Sequence, residues 1–339
     1  MMANTKGILE RLQEGPILCA EGYLFELERR GYVKAGPFIP EVVLEHPDAV
    51  LRLHRDFLYA GSDIMVAFTY YGHREKLRSA GKLDLLERLN REALKLARQA
   101  ADEGDALVAG NLSNTWLYDP DDEKGSRDKI MPIFDEQCAW AKEEGADFII
   151  AETFSHLGEA RLALEAGKAS GLPVMIGFIP TCERSLDGYS WADACEAIEK
   201  EGADITGLNC GRGPATMNSY LREIRERLDG HMAALPVPYR TNEEHPYFQD
   251  LRLENGERAF PCALDPFQHT RYEMAEFADF AREIGIDFIG ICCGAGPHHV
   301  RSMAEALGKK PVSGRYSPDL TVHPVLSKGG IYCPGDMTD

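Results

Sequence analysis

The stretch EGADFIIAET, residues 144–153, decides the fold. It returns as EGADITGLNC at 201–210 and, with the same aspartate, as IGIDFIGICC at 284–293. In each copy a helical pattern stops at a glycine and a run of apolar residues begins after an aspartate. The runs are apolar on successive residues, as expected of parallel strands covered on both faces. Working outward from these three, similar runs occur at PILCAE (16–21), DIMVAFTY (63–70), ALVAGNLS (106–113), PVMIGFI (173–179) and PVPYRTN (236–242). With DFIIAET (147–153), DITGLNC (204–210) and DFIGICC (287–293) they make eight. Between them lie amphipathic patterns at 85–104, 156–171, 191–203, 219–230 and 271–285. Strands alternating with helices in this number predict an α/β fold, a closed (β/α)8 TIM barrel. An open doubly wound sheet is the second reading, weakened because no glycine-rich fingerprint follows the first strand. The expected organisation is one barrel over residues 1–312 and an irregular tail over 313–339. That tail is rich in Pro, Gly and Ser, and runs over the surface or packs on a partner subunit of a homo-oligomer.

The 339 residues suit one such barrel, and 44% hydrophobic content supplies a large core. With 37 basic against 55 acidic side chains the net charge is -18, and no basic stripe stands out, which argues against a nucleic-acid partner. No apolar run approaches membrane-span length. The start MMANTKGILERLQEG has neither the apolar core of a secretory signal nor the Arg and Ser of a transit peptide, so a cytoplasmic location is expected. In such a reducing compartment the nine cysteines are expected to be buried, metal-binding or nucleophilic rather than bridged.

Barrel chemistry sits where strands end. Those ends bring Glu21, Tyr70, Tyr71, Asn111, Glu152, Cys210, Tyr239, Cys292 and Cys293 to one rim. GLNCGRGP (207–214) and GICCGAGP (290–297) share Cys-Gly-x-Gly-Pro, so Cys210 matches Cys293. Gly294 and Gly296 permit the turn that lets adjacent cysteines face one ion. Pro214 and Pro297 suit the first position of a helix, whose N-terminus favours thiolates. Three thiolates plus an open position is the pattern of a catalytic zinc site, with Cys210, Cys292 and Cys293 as ligands. Two plainer readings compete: buried apolar cysteines beside tight turns, and CCGAGP as a phosphate loop. His298 and His299 are expected to be solvated on the first turn of a helix. Cys19, Cys138, Cys182, Cys195 and Cys262 are read as structural.

GLNC, GICCG and the run GYVKAGPFIPEVVLEHPDAVLRLHRDFLYAGSDIMVAFTYYGHREKL (31–77) resemble the homocysteine S-methyltransferase family. The likeness covers about residues 7–310. It implies a zinc-dependent barrel enzyme that makes methionine from homocysteine, with Zn2+ on Cys210, Cys292 and Cys293. The family's homocysteine-binding glutamate corresponds to Glu152. Its acidic residue after the first strand, usually in an Asp-Gly-Gly phrase, corresponds to Glu21, followed by Gly22 and Tyr23. Against the betaine-using branch, Phe38 stands for a Trp, Thr153 for a Tyr, and Tyr71 is retained. Phe38, Tyr70, Tyr71 and Thr153 are therefore the expected donor contacts, with Phe68 a further aromatic candidate.

The chemistry fits these residues. A thiolate, not a thiol, is the nucleophile, and a metal favours the deprotonated form of a sulfur placed in its open position. A quaternary ammonium donor leaves as a neutral amine, so no general acid is needed. The remaining requirements are alignment and a desolvated pocket whose aromatic faces tolerate positive charge. A sulfonium donor such as S-methylmethionine meets the same conditions. A zinc hydrolase or lyase, with Glu152 as base, and a thiol sensor are the rival readings.

Overall fold

The computed structural model describes residues 6–324. Eight parallel strands close into a barrel in sequence order: β1 (Ile17–Ala20), β2 (Ile64–Val66), β3 (Leu107–Ser113), β4 (Phe148–Phe154), β5 (Val174–Phe178), β6 (Ile205–Asn209), β7 (His231–Leu235) and β8 (Phe288–Ile291). The ring closes where Ile17 pairs with Phe288 and Ala20 with Ile291. The closed ring settles the choice between the two architectures in favour of the barrel.

The recurring aspartate has a structural use. Asp63, Asp147, Asp204 and Asp287 directly precede the even strands β2, β4, β6 and β8. Each carboxylate accepts a backbone N–H at the start of the odd strand before it: Leu18 at 2.7 Å, Val108 at 2.7 Å, Val174 at 2.8 Å and Met232 at 3.0 Å. A basic side chain backs each one, from Lys309, Arg98, Lys168 and His231. Four clamps thus fix the register at the amino-terminal rim, leaving the opposite rim to loops.

Helices cover the barrel with their apolar stripes. The helix Leu86–Ala101 buries Leu86, Leu89, Ala93, Leu96 and Ala100, spaced three or four apart, with Ala97 beside them, against β2 and β3. Each fully buried leucine adds about 1.5–3 kcal/mol.

The seventh strand differs from expectation. It is His231–Leu235, whereas 236–242 forms the loop that leaves the barrel. Pro236 and Pro238 have no N–H for the ladder, which confines PVPYRTN to a non-strand position. The preceding helix ends at Arg225 rather than near 230, and it begins at Pro214, freeing HMAAL for the sheet. Strand β2 is also shorter than expected, so Tyr70 and Tyr71 lie on a turn beyond it. After the last barrel helix, Pro297–Ala306, a short turn at Val312–Tyr316 packs on that helix and on Pro47–Ala60. The tail beyond residue 324, including Cys333, lies outside the described residues. Among those described, no helix is long and apolar enough to cross a membrane.

Candidate active site

The carboxyl ends of β6 and β8 carry the cysteines. Cys210 directly follows β6 and leaves the extended form at φ 59°, a left-handed backbone that turns its side chain inward. Cys292 and Cys293 follow β8, and Gly294 completes their turn at φ 93°. This turn is held tightly. The Gly294 carbonyl accepts from Gln268 Nε2 at 2.8 Å and Arg29 Nη2 at 3.3 Å. A β-carbon on Gly294 would lie 2.3 Å from the Tyr239 hydroxyl. Gly22 is the matching close approach from β1, where a β-carbon would lie 2.2 Å from the Ala295 carbonyl oxygen.

The three sulfurs lie within 4.8 Å of one another. Those of Cys292 and Cys293 are 3.9 Å apart, close to the roughly 3.8 Å edge of a tetrahedron with Zn–S bonds of about 2.3 Å. The set fits a zinc site in both donor chemistry and spacing. The Cys210 thiol is pushed well below its ordinary value because Cys292 and Cys293 donate to its sulfur. Those two are raised, chiefly by holding their protons toward Cys210. No histidine joins this cluster among the described residues. His299 is buried rather than solvated: its Nδ1 accepts the Gly296 N–H at 3.1 Å and its Nε2 lies 3.0 Å from the His269 carbonyl oxygen. It caps the helix that follows the cysteine turn. His298 is exposed.

Beside the sulfurs lies an acidic inner cavity. Glu21 and Glu152 bring carboxylate oxygens within 4.8 Å of each other and of the Cys292 sulfur. Glu152, at the end of β4, is clamped by Asn111 Nδ2 at 2.5 Å from β3 and by Asn209 Nδ2 at 2.7 Å from β6. Both oxygens of Glu21 are buried without a hydrogen-bond partner. Burial first, then the Glu152 charge, pushes the Glu21 carboxyl well up, and burial likewise raises Glu152 against the Asn111 bond. A pair of buried carboxyls, of which Glu21 keeps both oxygens unpartnered, is suited to an ammonium group. Gly22 shapes this end of β1 through its contact with Ala295.

An outer cavity of about 290 Å³ adjoins the inner one, and Leu24, Tyr70, Thr153 and Cys293 line both. Phe38, Tyr71 and Thr153 line the outer one. The Tyr70 hydroxyl lies 3.1 Å from Thr153 Oγ1, and the Tyr70 and Tyr71 rings are 4.4 Å apart. Phe68 faces only the inner cavity, stacked on Tyr23 at 5.9 Å. No side chain lining the outer cavity carries a formal charge apart from the cysteines when ionised. Five non-glycine residues have positive φ among those described, Phe38, Tyr71, Trp116, Thr153 and Cys210, and all five line this cavity. Backbone strain of this kind collects at functional sites.

Sequence reading brought the cysteines, Glu21, Glu152 and the tyrosines to this rim, and the structure gathers them there. It placed Asn111 at the rim and Asn209 beside Cys210 but did not pair either with Glu152. It also left out Trp116, Phe248, Gln249 and Phe260, which reach the outer cavity from long loops without strand periodicity. Tyr239 stands behind the cysteine turn, stacked on Phe248 at 5.5 Å and bonded to Arg29. Of the cysteines read as structural, Cys19, Cys138 and Cys195 are buried, but Cys182 and Cys262 are exposed.

A family profile described as homocysteine S-methyltransferase matches residues 22–307. The chain belongs to the homocysteine S-methyltransferase family. Betaine–homocysteine S-methyltransferase 1 of Mus musculus is 39% identical over 313 residues, covering 89% of this chain and 75% of that protein. The S-methylmethionine–homocysteine S-methyltransferase of Pongo abelii is 36% identical over 309 residues, covering 89% and 81%. Among solved structures, the metallated homocysteine methyltransferase MmuM of Escherichia coli shares the fold at a TM-score of 0.69 and 18% identity, covering 88% of this chain and 99% of that one. The family activity is methyl transfer to homocysteine, and this chain is a homocysteine S-methyltransferase.

Proposed function

We propose that the methyl donor is a compact quaternary-ammonium betaine, that Cys210, Cys292 and Cys293 hold zinc, and that Glu21 and Glu152 hold homocysteine. The carrying observation is the uncharged aromatic cavity, which shares Cys293 with the sulfur cluster and so opens directly onto it. Zinc, when bound, supplies a Lewis acid that keeps the acceptor sulfur deprotonated. The protein does the rest. Glu21 and Glu152 take the homocysteine ammonium, and the asparagine clamp fixes the direction of Glu152. Tyr70 and Thr153 line both cavities, flank the passage between acceptor and donor and keep water from it. Phe38 and Tyr71 line the space for the cationic methyl groups, an aromatic face being worth about 0.5–2 kcal/mol, although the Lys76 ammonium already lies over the Tyr71 ring, 4.7 Å from its centroid.

The leaving tertiary amine is neutral, which matches a cavity that offers no acid. A donor with an α-amino-acid tail, such as S-methylmethionine, brings an ammonium and a carboxylate into that same uncharged cavity. A betaine brings one carboxylate, for which Gln249 and Thr181 provide neutral donors. The sulfonium reading keeps its place through the 36% identity to the S-methylmethionine-named relative.

The deciding experiment measures methionine formation from homocysteine with glycine betaine, other N-methylated betaines and S-methylmethionine. Betaine should give the higher kcat/KM. A higher value for S-methylmethionine would overturn the donor assignment. X-ray absorption should show a zinc site that gains a fourth sulfur when homocysteine is added, whereas a hydrolase or a sensor would show no gain.

A further inference from the structure

Three costs meet at the turn that follows β3. Glu159, on the first turn of the helix Leu157–Ser170, is a carboxylate only 2% exposed. Its Oε1 accepts both the N–H of Thr115 at 2.7 Å and its hydroxyl at 2.6 Å. Thr115 Oγ1 in turn accepts the Leu117 N–H at 3.2 Å. A carboxylate is expensive to bury, and here it fastens the residues on either side of Trp116. Trp116 is itself left-handed at φ 66°, a conformation that a β-carbon disfavours. Its indole is 68% exposed, the opposite of what folding rewards in so large an apolar group. Together these costs hold an indole over the outer cavity, 6.3 Å from the Tyr71 ring and tilted 48° to it.

We propose that Trp116 is a specificity-determining wall of the methyl-donor subsite, its indole receiving the onium cation in the corner it makes with Tyr71, with Glu159 acting through Thr115 as the positioning residue. The ligand class is a methylated ammonium or sulfonium lodged in the open corner of the two tilted rings, since centroids 6.3 Å apart leave no room for one stacked between them. The inference rests on the onium-donor reading above but not on which onium is used. Indole is the strongest of the aromatic faces for a cation, and the uncharged lining leaves the rings as the main attraction.

The test uses the zinc-loaded full chain with whichever donor proves active. Trp116→Ala should raise the donor KM about tenfold, the factor that corresponds to about 1.4 kcal/mol. The homocysteine KM and the zinc content should stay unchanged, and Trp116→Phe should recover part of the loss. Glu159→Gln should raise the donor KM by a smaller factor, again without moving that for homocysteine. A merely structural role would move both constants together. A second readout needs no turnover. Trp140 and Trp191 are buried, so tetramethylammonium should quench or shift the tryptophan emission of the wild type and not of Trp116→Phe. An unchanged donor KM in Trp116→Ala, or a tetramethylammonium response that persists in Trp116→Phe, overturns the assignment. If no onium donor yields methionine, the donor reading falls instead, and the emission test still decides whether a cation sits on Trp116.

Discussion

At the scale of single residues, the cysteine cluster depends on a glycine as much as on its sulfurs. Gly294 has φ 93° and sits where a β-carbon would be 2.3 Å from the Tyr239 hydroxyl. Tyr239 cannot yield easily, because it stacks on Phe248 and is bonded to Arg29. Gly294→Ala should therefore displace Cys292 and Cys293, lowering zinc content and activity together while the far-ultraviolet circular dichroism stays that of the barrel. Full zinc occupancy in the variant would show that the turn has slack. Cys210→Ser is expected to lose both metal and activity. Asn209→Leu tests the other half of the site. It removes one of two donors to a buried carboxylate, a bond worth about 1.5–3 kcal/mol when charged. Because Asn209 Oδ1 also accepts the N–H of Thr153 at 3.0 Å, the homocysteine KM should rise about ten- to a hundredfold and the donor KM by a smaller factor. The cysteines were readable because a repeated Cys-Gly-x-Gly-Pro is rare and has a mechanism. The asparagine clamp was not, because an asparagine in an apolar strand says nothing of its partner until the neighbouring strand and register are known.

At the scale of elements, the aspartate before each even strand ties a local phrase to a global register. Asp204 shows the trade most simply: it accepts the Val174 N–H at 2.8 Å and pairs with the exposed Lys168 at 3.1 Å. The surface ion pair adds little, but the strand N–H has no other acceptor at that end. Asp204→Ala should cost about 1–3 kcal/mol in urea unfolding, whereas Lys168→Ala should cost less than about 1 kcal/mol. Equal losses would mean that the ion pair, not the clamp, holds the strand. The same phrase made the fold legible, since a helix stop, an aspartate and an apolar run were visible three times over. The seventh strand broke the pattern. HMAAL has Gly230 rather than an aspartate directly ahead of it, follows the helix Pro214–Arg225 after only five residues, and precedes a proline-rich segment with more strand-like residues. Composition favoured the wrong segment, and only the need for a ladder N–H at every position distinguishes the two. The outer cavity was hidden for a related reason. Its walls come from loops whose path is set by long-range contacts such as Glu159 to Thr115, and no periodicity records them.

At the scale of the whole molecule, burial of titratable groups sets the response to acid. His54, His73 and His299 are buried, and burial lowers them to about 3, about 4 and about 4 from an ordinary value of 6.5. Each ring stays neutral in the folded barrel while the unfolded chain takes up a proton below pH 6.5. Their contribution is complete above that pH and is lost as the pH falls toward 4. The buried carboxyls of Glu21, Glu152 and Glu159 are raised chiefly by burial, so they bind protons in the folded state first and work in the opposite direction. The wild-type slope is the difference of these two sets and assigns neither. A single substitution separates them. His54 is the cleanest choice, because desolvation alone lowers it and its one partner is the Tyr23 hydroxyl at 3.0 Å. His54→Gln keeps a hydrogen-bonding group for Tyr23 and removes the proton site. The variant should be less stable than the wild type at pH 7. That gap should shrink by about 1.4 kcal/mol per pH unit between pH 6 and pH 4, measured by urea unfolding across the range. A gap that stays constant with pH would mean that the imidazole finds a way to ionise inside the barrel, and that the space around Tyr23 is wetter than its packing implies.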